Sequence, residues 1–181
     1  MKGKQIVKVL AAWLLYVTLH FAYKIYPCGI TKFLGCPEET LYVHMKMAFF
    51  SYLIINIVFS LAEVRKGIKP NVPALMLSNC VYPYLAFFIW LAIPALTGMM
   101  DSVAAEIAYS NIILIICLLI TVNLEQAFEQ IKWFGGAKIA VIVLFVLSAF
   151  LFTVMTLKTP DIGFFSSHGH ETESAEEHRS H

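Results

Sequence analysis

Residues 139–157 read IAVIVLFVLSAFLFTVMTL, nineteen consecutive positions without a charge. As a helix this stretch is about 28 Å long, close to the roughly 30 Å of hydrocarbon in a bilayer. It has no alternation of the kind a barrel strand needs, and an open strand would leave backbone groups unsatisfied in lipid. It is therefore read as a spanning helix. Ser148 and Ala149 are its only small pair, so nearly every side is apolar, as expected of an outer helix facing lipid.

Working outward from this segment, apolar runs of similar length lie near residues 5–26, 40–62, 72–96 and 102–128, and the last span itself extends over 133–157. The expectation is an all-α transmembrane bundle of five spans over residues 1–158, with its termini on opposite sides. Composition agrees: 59% of the chain is hydrophobic, 14% is charged, and the mean hydropathy is +0.74. Soluble domains run nearer to about 45–50% and roughly 25%. That balance excludes a water-soluble enzyme or a nucleic-acid reader and makes the lipid bilayer the first partner. Other membrane subunits or further copies of the chain are the remaining expected partners.

Orientation follows from the basic residues, which are retained on the cytoplasmic face of short loops. Lys2, Lys4, Lys8, Arg65, Lys66, Lys69, Lys132 and Lys138 fall on one side, against Lys24, Lys32, Lys46, Lys158 and Arg179 on the other, eight to five. The expected topology is N-terminus inside and C-terminus outside, in a plasma or inner membrane. The first span resembles a signal peptide, yet no small-x-small site precedes Pro27 and no lipobox precedes Cys28, so it is expected to be retained. Pro83 and Pro94 fall inside the third span, where each removes a backbone hydrogen bond, and a bend or local unwinding is expected there. Residues 159–181 change to a polar His- and Glu-rich composition that cannot bury a core, which predicts a disordered tail.

An ionisable side chain within the hydrocarbon costs about 2.5–3.5 kcal/mol on insertion scales, so each needs a partner, an interface position or a function. His20, His44 and Glu106 all fall roughly 6–9 Å in from the outer helix ends at 1.5 Å per residue. Trp13, Tyr16, His20 and Tyr23 form one stripe on the first helix. His44, Met47 and Ser51 share a face of the second, and Glu106, Ser110, Cys117 and Thr121 share a face of the fourth. Two neutral imidazoles from adjacent helices are the axial pair of a membrane haem b, and the same pair with Glu106 suits a divalent metal. Against this stands the simpler account, in which each histidine bonds a backbone carbonyl or sits at the headgroups while Glu106 pairs with Lys46 or Lys24. A second histidine pair, as a transmembrane electron path would require, is absent from the sequence.

Cys28 and Cys36 flank the first outer loop and predict a disulfide, with metal binding or redox exchange as alternatives; C-x₇-C matches no standard zinc or thioredoxin spacing. Cys80 and Cys117 read as small buried apolar residues. In the tail, His168 and His170, with His178 and His181, form a weak metal-binding pattern or simply part of a solvated acidic terminus. Toward the inner side, Tyr52, Asn56 and Glu63 make a second polar face, which with Asn123 and Glu125 would form a polar path. Ion pairing at helix ends explains Glu63, Glu125, Glu129, Arg65 and Lys66 equally well.

The sequence carries no Walker motif, dinucleotide loop, nucleophile elbow or HExxH, which points away from the recognisable enzyme classes. The leading functional expectation is a small integral-membrane subunit or accessory protein with a haem, metal or quinone contact near the outer face. A metal-ion or small-solute transporter or channel is the second, motivated by the prolines and the polar faces. A structural protein without a ligand site is the third.

Overall fold

The computed structural model describes residues 3–97 and 102–157. The polar tail, with His168 and His170, lies outside the described residues. Six helices follow in order: α1 (Gly3–Ile25), α2 (Gly29–Leu34), α3 (Leu41–Val64), α4 (Val72–Thr97), α5 (Val103–Glu129) and α6 (Gly135–Leu157). Five of them are long and apolar enough to cross a membrane, and their limits agree with the expected spans to within a few residues. The short helix α2 was not anticipated; it folds inside the loop between the first two spans.

Local chemistry sets the helix ends. Thr40 caps α3, its hydroxyl oxygen accepting from the Val43 amide at 3.3 Å, and Ser102 caps α5 by accepting from Ala105 at 3.3 Å. After α3, Gly67 takes a left-handed φ of 77° while its amide donates to the Val64 carbonyl and that of Ile68 to Glu63, turning the chain out of the helix.

Helices α1, α3, α4 and α5 form a ring in which α1 and α4 each pack against both α3 and α5, and α6 packs on α4 from outside. Neighbours in the ring are antiparallel: Lys4 at the start of α1 meets Glu63 at the end of α3, whereas His20 late in α1 meets His44 early in α3. The bundle consequently has a lysine end and a histidine end. Tyr52, Tyr82, Met47, Phe49, Leu118 and Val122 fill the interior, while Leu10, Leu14, Val58, Leu61, Phe88, Ile112 and Ile116 are exposed. An exposed apolar girdle of this kind fits lipid rather than water as its solvent.

Helix α6 touches the bundle through one face. Phe145 and Phe152 stack near Phe49, with ring centroids 5.6 and 5.2 Å away, and the Tyr42 hydroxyl donates to the Phe152 carbonyl at 2.6 Å. Val143, Val146, Leu147 and Phe150 remain exposed, as expected of an outer helix. Of the two outcomes expected of the prolines, unwinding does not occur, since α4 is unbroken from Val72 to Thr97. Pro94 has no N–H for the carbonyl four residues earlier, that of Trp90, and the Tyr109 hydroxyl of α5 lies 3.1 Å from this oxygen and 3.2 Å from that of Ile89. A neighbouring helix thus supplies the donor that the proline lacks, and no unwinding is required.

Candidate metal centre

The loop between α1 and α3 begins where Pro27 follows α1. Thr31 organises the first turn of α2: its hydroxyl donates to the Tyr26 carbonyl at 2.6 Å, and its oxygen accepts from the Cys28 amide at 3.0 Å. Helix α2 ends at Gly35, whose amide donates to the Thr31 carbonyl. A Cβ at Gly35 would sit 2.6 Å from that oxygen and 2.7 Å from the Leu19 carbonyl of α1. Only glycine lets the loop press this closely on the backbone of α1, one residue before His20.

The next residue, Cys36, is thereby driven into the protein, where it is buried, its thiol 3.2 Å from the Glu38 carbonyl and 3.6 Å from Glu39 Oε2. Glu39 immediately precedes the Thr40 cap. Its carboxylate reaches both imidazoles: Oε1 lies 3.7 Å from His20 Nε2, and Oε2 lies 3.6 Å from His44 Nε2. The two rings are tilted toward each other with centroids 5.5 Å apart. One donor atom from each of His20, Cys36, Glu39 and His44 falls within 4.8 Å of the others.

A second contact orients His44. Its Nδ1 lies 2.7 Å from the Thr40 carbonyl. A carbonyl only accepts, so Nδ1 carries the proton and Nε2 presents its lone pair to the cluster, the arrangement that metal-binding histidines use. On the far side of Glu39, Lys24 donates to Oε1 at 2.7 Å.

Electrostatics in the loop separate the two thiols. Burial pushes the Cys36 thiol up to about 12, and the charge and hydrogen bond of Glu39 add to the effect, so without a cation it stays protonated at neutral pH. The Cys28 thiol moves down from its ordinary value, first because Thr31 hydrogen-bonds it through side chain and backbone. Burial alone would raise the Glu39 carboxyl, but the Lys24 hydrogen bond and the two imidazoles outweigh it and hold it below the usual value.

His20 and His44 come together, but Glu106 stands exposed in the first turn of α5, outside this group, and Glu39 is the acid that reaches the histidines. Cys28 and Cys36 are both free, so the expected disulfide is absent; Gly35 turns Cys36 inward while Cys28 remains at the start of α2. Lys24 pairs with Glu39, and the buried Lys46 reaches the Lys32 carbonyl at 3.4 Å, so neither pairs with Glu106.

At the lysine end the Tyr52, Asn56 and Glu63 face is split. Tyr52 is buried and donates to Glu125 Oε2 at 2.7 Å, Glu63 pairs with Lys4, and Asn56 is buried. Glu125 does not lie on the surface: it pairs with Lys8 inside the bundle and also accepts from Ser78 at 3.0 Å. Asn123 is exposed and donates to Leu119 of its own helix.

Glu39 is the site residue that spacing did not single out, and Cys36 entered as half of a disulfide with metal binding as an alternative. Their signal is the run Cys36, Glu39 and His44, three ligand types within nine residues, which the search for paired cysteines passed over. Comparison with known families, curated proteins and solved structures found no match.

The close approach at Gly35 makes a direct prediction. Gly35→Ala should force the loop off α1 and carry Cys36 with it, lowering zinc affinity by about 10–100-fold, as loss of a supporting contact does, while the helical content persists. Competition titration alongside circular dichroism checks this. Unchanged affinity would mean that the glycine contact does not position the thiol.

Proposed function

We propose that the chain is a multi-pass membrane protein that captures a borderline divalent transition metal, of which zinc is the representative ion, at the histidine end of its bundle. The carrying observation is the convergence of His20, Cys36, Glu39 and His44 within 4.8 Å. A tetrahedral zinc ion with bonds of about 2.0–2.3 Å separates its donors by roughly 3.3–3.8 Å. Each imidazole already stands at such a distance from one oxygen of Glu39, His20 from Oε1 and His44 from Oε2, and a shared ion requires the four donor atoms to draw in from separations of up to 4.8 Å. Two imidazoles, a thiolate and a carboxylate are a donor set suited to zinc or copper, not to magnesium or calcium.

The same geometry argues against a haem between the histidines. Glu39 presents its carboxylate to both Nε2 atoms, and a macrocycle would have to expel this group from the space it needs. On the distribution of basic residues, the histidine end faces outward and the site takes its ion from the exterior. His20, His44 and Glu39 retain side-chain exposures of 22%, 35% and 50%, leaving the ion a route in.

Zinc titration of the detergent-purified full chain against a chromophoric chelator tests the proposal. One ion per chain is expected, and binding should be lost in His20→Ala. Equal binding by wild type and variant would overturn it. The pH dependence has a definite sign: Cys36 is a thiol in the empty site and a thiolate when bound, so binding releases its proton and affinity rises with pH. Between neutrality and the Cys36 value of about 12, the slope from this group is about tenfold per pH unit. A flat profile from pH 7 to 9 would exclude Cys36 as a ligand.

A further inference from the structure

The interior between the two ends contains polar atoms that the protein itself does not satisfy. Asn56 Nδ2 and Oδ1, Asn79 Oδ1, the Tyr82 hydroxyl and Thr121 Oγ1 are all buried without a hydrogen-bond partner. Each such atom costs about 1–3 kcal/mol if left unpaired, and buried polar groups of this kind are ordinarily bridged by water.

Their placement is not scattered. Thr121 lies one turn from Glu125 on α5, Asn56 one turn from Tyr52 on α3, and Tyr82 one turn from Ser78 on α4 with Asn79 between. Tyr52, Ser78 and Lys8 all contact the Glu125 carboxylate, and the Tyr52 and Tyr82 rings lie with centroids 5.5 Å apart. Thr121 and Tyr82 thus lie on the middle side of Glu125 and Ser78, while Asn56 lies on the lysine-end side of Tyr52. Beyond them, buried Tyr16 of α1 lies one turn before His20, in the packed cluster that also holds Tyr82 and Cys36.

We infer that this file is hydrated and conducts protons between the Glu125 carboxylate and the histidine end of the bundle. A proton arriving at the lysine end binds a Glu125 oxygen. It then passes along hydrogen bonds through water and hydroxyls, each oxygen giving up one proton as it takes another while the Asn56 and Asn79 amides anchor the waters, and an equal proton leaves at the far end. No electron moves and no heavy-atom bond changes. The groups in contact with this carboxylate are Lys8 from α1, Tyr52 from α3 and the neutral Ser78 from α4, with Glu129 one turn further along α5 and the Lys4–Glu63 pair at the same end of the bundle. Intramembrane carboxylates in chains of this sort are the usual carriers of protons in pumps and transporters.

The test uses the full chain in sealed liposomes with a trapped pH indicator, a potassium gradient and valinomycin, in buffer containing a metal chelator so that the result does not depend on the zinc site. Proton entry faster than in protein-free vesicles is expected, and Glu125→Gln should slow it on the order of 100-fold. Tyr82→Phe and Thr121→Val leave the Lys8–Glu125 pair in place and should also slow it, so they decide the matter if Glu125→Gln does not fold. Wild-type vesicles no leakier than protein-free ones would overturn the inference. So would unchanged flux in a folded Glu125→Gln variant, or in both conservative variants.

Discussion

Glu125→Leu is expected to destabilise the folded protein by about 3–5 kcal/mol, the usual consequence of stranding one member of a buried ion pair. The reason is local. Lys8 and Glu125 meet inside the ring with side-chain exposures of only 6% and 8%, and the carboxylate also accepts from Tyr52 and Ser78. Removing it leaves an ammonium, a phenol and a hydroxyl without their acceptor in the buried interior of the ring. The double variant Lys8→Met with Glu125→Leu removes both charges and should recover most of the loss, because well-packed apolar groups replace buried ion pairs at little or no cost. Denaturant or thermal unfolding in detergent compares the three proteins. A single substitution within about 0.5 kcal/mol of wild type would show that the pair is not buried as described.

The second large effect concerns the histidine end. Cys36→Ser and His44→Ala should each lower zinc affinity at least on the order of 100-fold, since losing a ligand costs more than the 10–100-fold typical of losing a ligand's supporting contact. Glu106→Gln should leave it unchanged, because that carboxylate is exposed in the first turn of α5 and stands apart from the cluster. Chelator competition measures all three. A large loss in Glu106→Gln together with full affinity in Cys36→Ser would reverse the assignment of the acid and of the thiol.

Much of the architecture was legible because spans are written in composition. Nineteen uncharged residues ending at Leu157, and four apolar runs of similar length upstream, fix helices of bilayer length with few alternatives. Depth was legible for the same reason: counting 1.5 Å per residue placed His20 and His44 at one level, and the folded chain brings them within ring contact. What counting misses is lateral arrangement. Glu106 was assigned to the same depth, yet depth does not say which face of the ring a helix presents, and its side chain lies on the exposed surface.

The loop was illegible for a different reason. Cys28 and Cys36 look like a disulfide in sequence, and no periodicity in a thirteen-residue connection (residues 27–39) reveals that Gly35 sits against the Leu19 carbonyl and directs Cys36 toward Glu39. The Lys8–Glu125 pair was hidden because both residues lie near helix ends, where a charge is cheap on the surface. Only the closed ring of α1, α3, α4 and α5 turns them inward. The prolines misled for a related reason, since the Tyr109 hydroxyl that reaches the Trp90 carbonyl comes from another helix.

X-ray absorption at the zinc edge on the zinc-loaded, detergent-purified protein probes the centre most directly. The account predicts one sulfur neighbour at about 2.3 Å and about three nitrogen or oxygen neighbours at about 2.0–2.2 Å, with the sulfur shell vanishing in Cys36→Ser. A shell of nitrogen and oxygen alone in the wild-type protein, or a sulfur signal that survives Cys36→Ser, would contradict the convergence of His20, Cys36, Glu39 and His44 on a single ion.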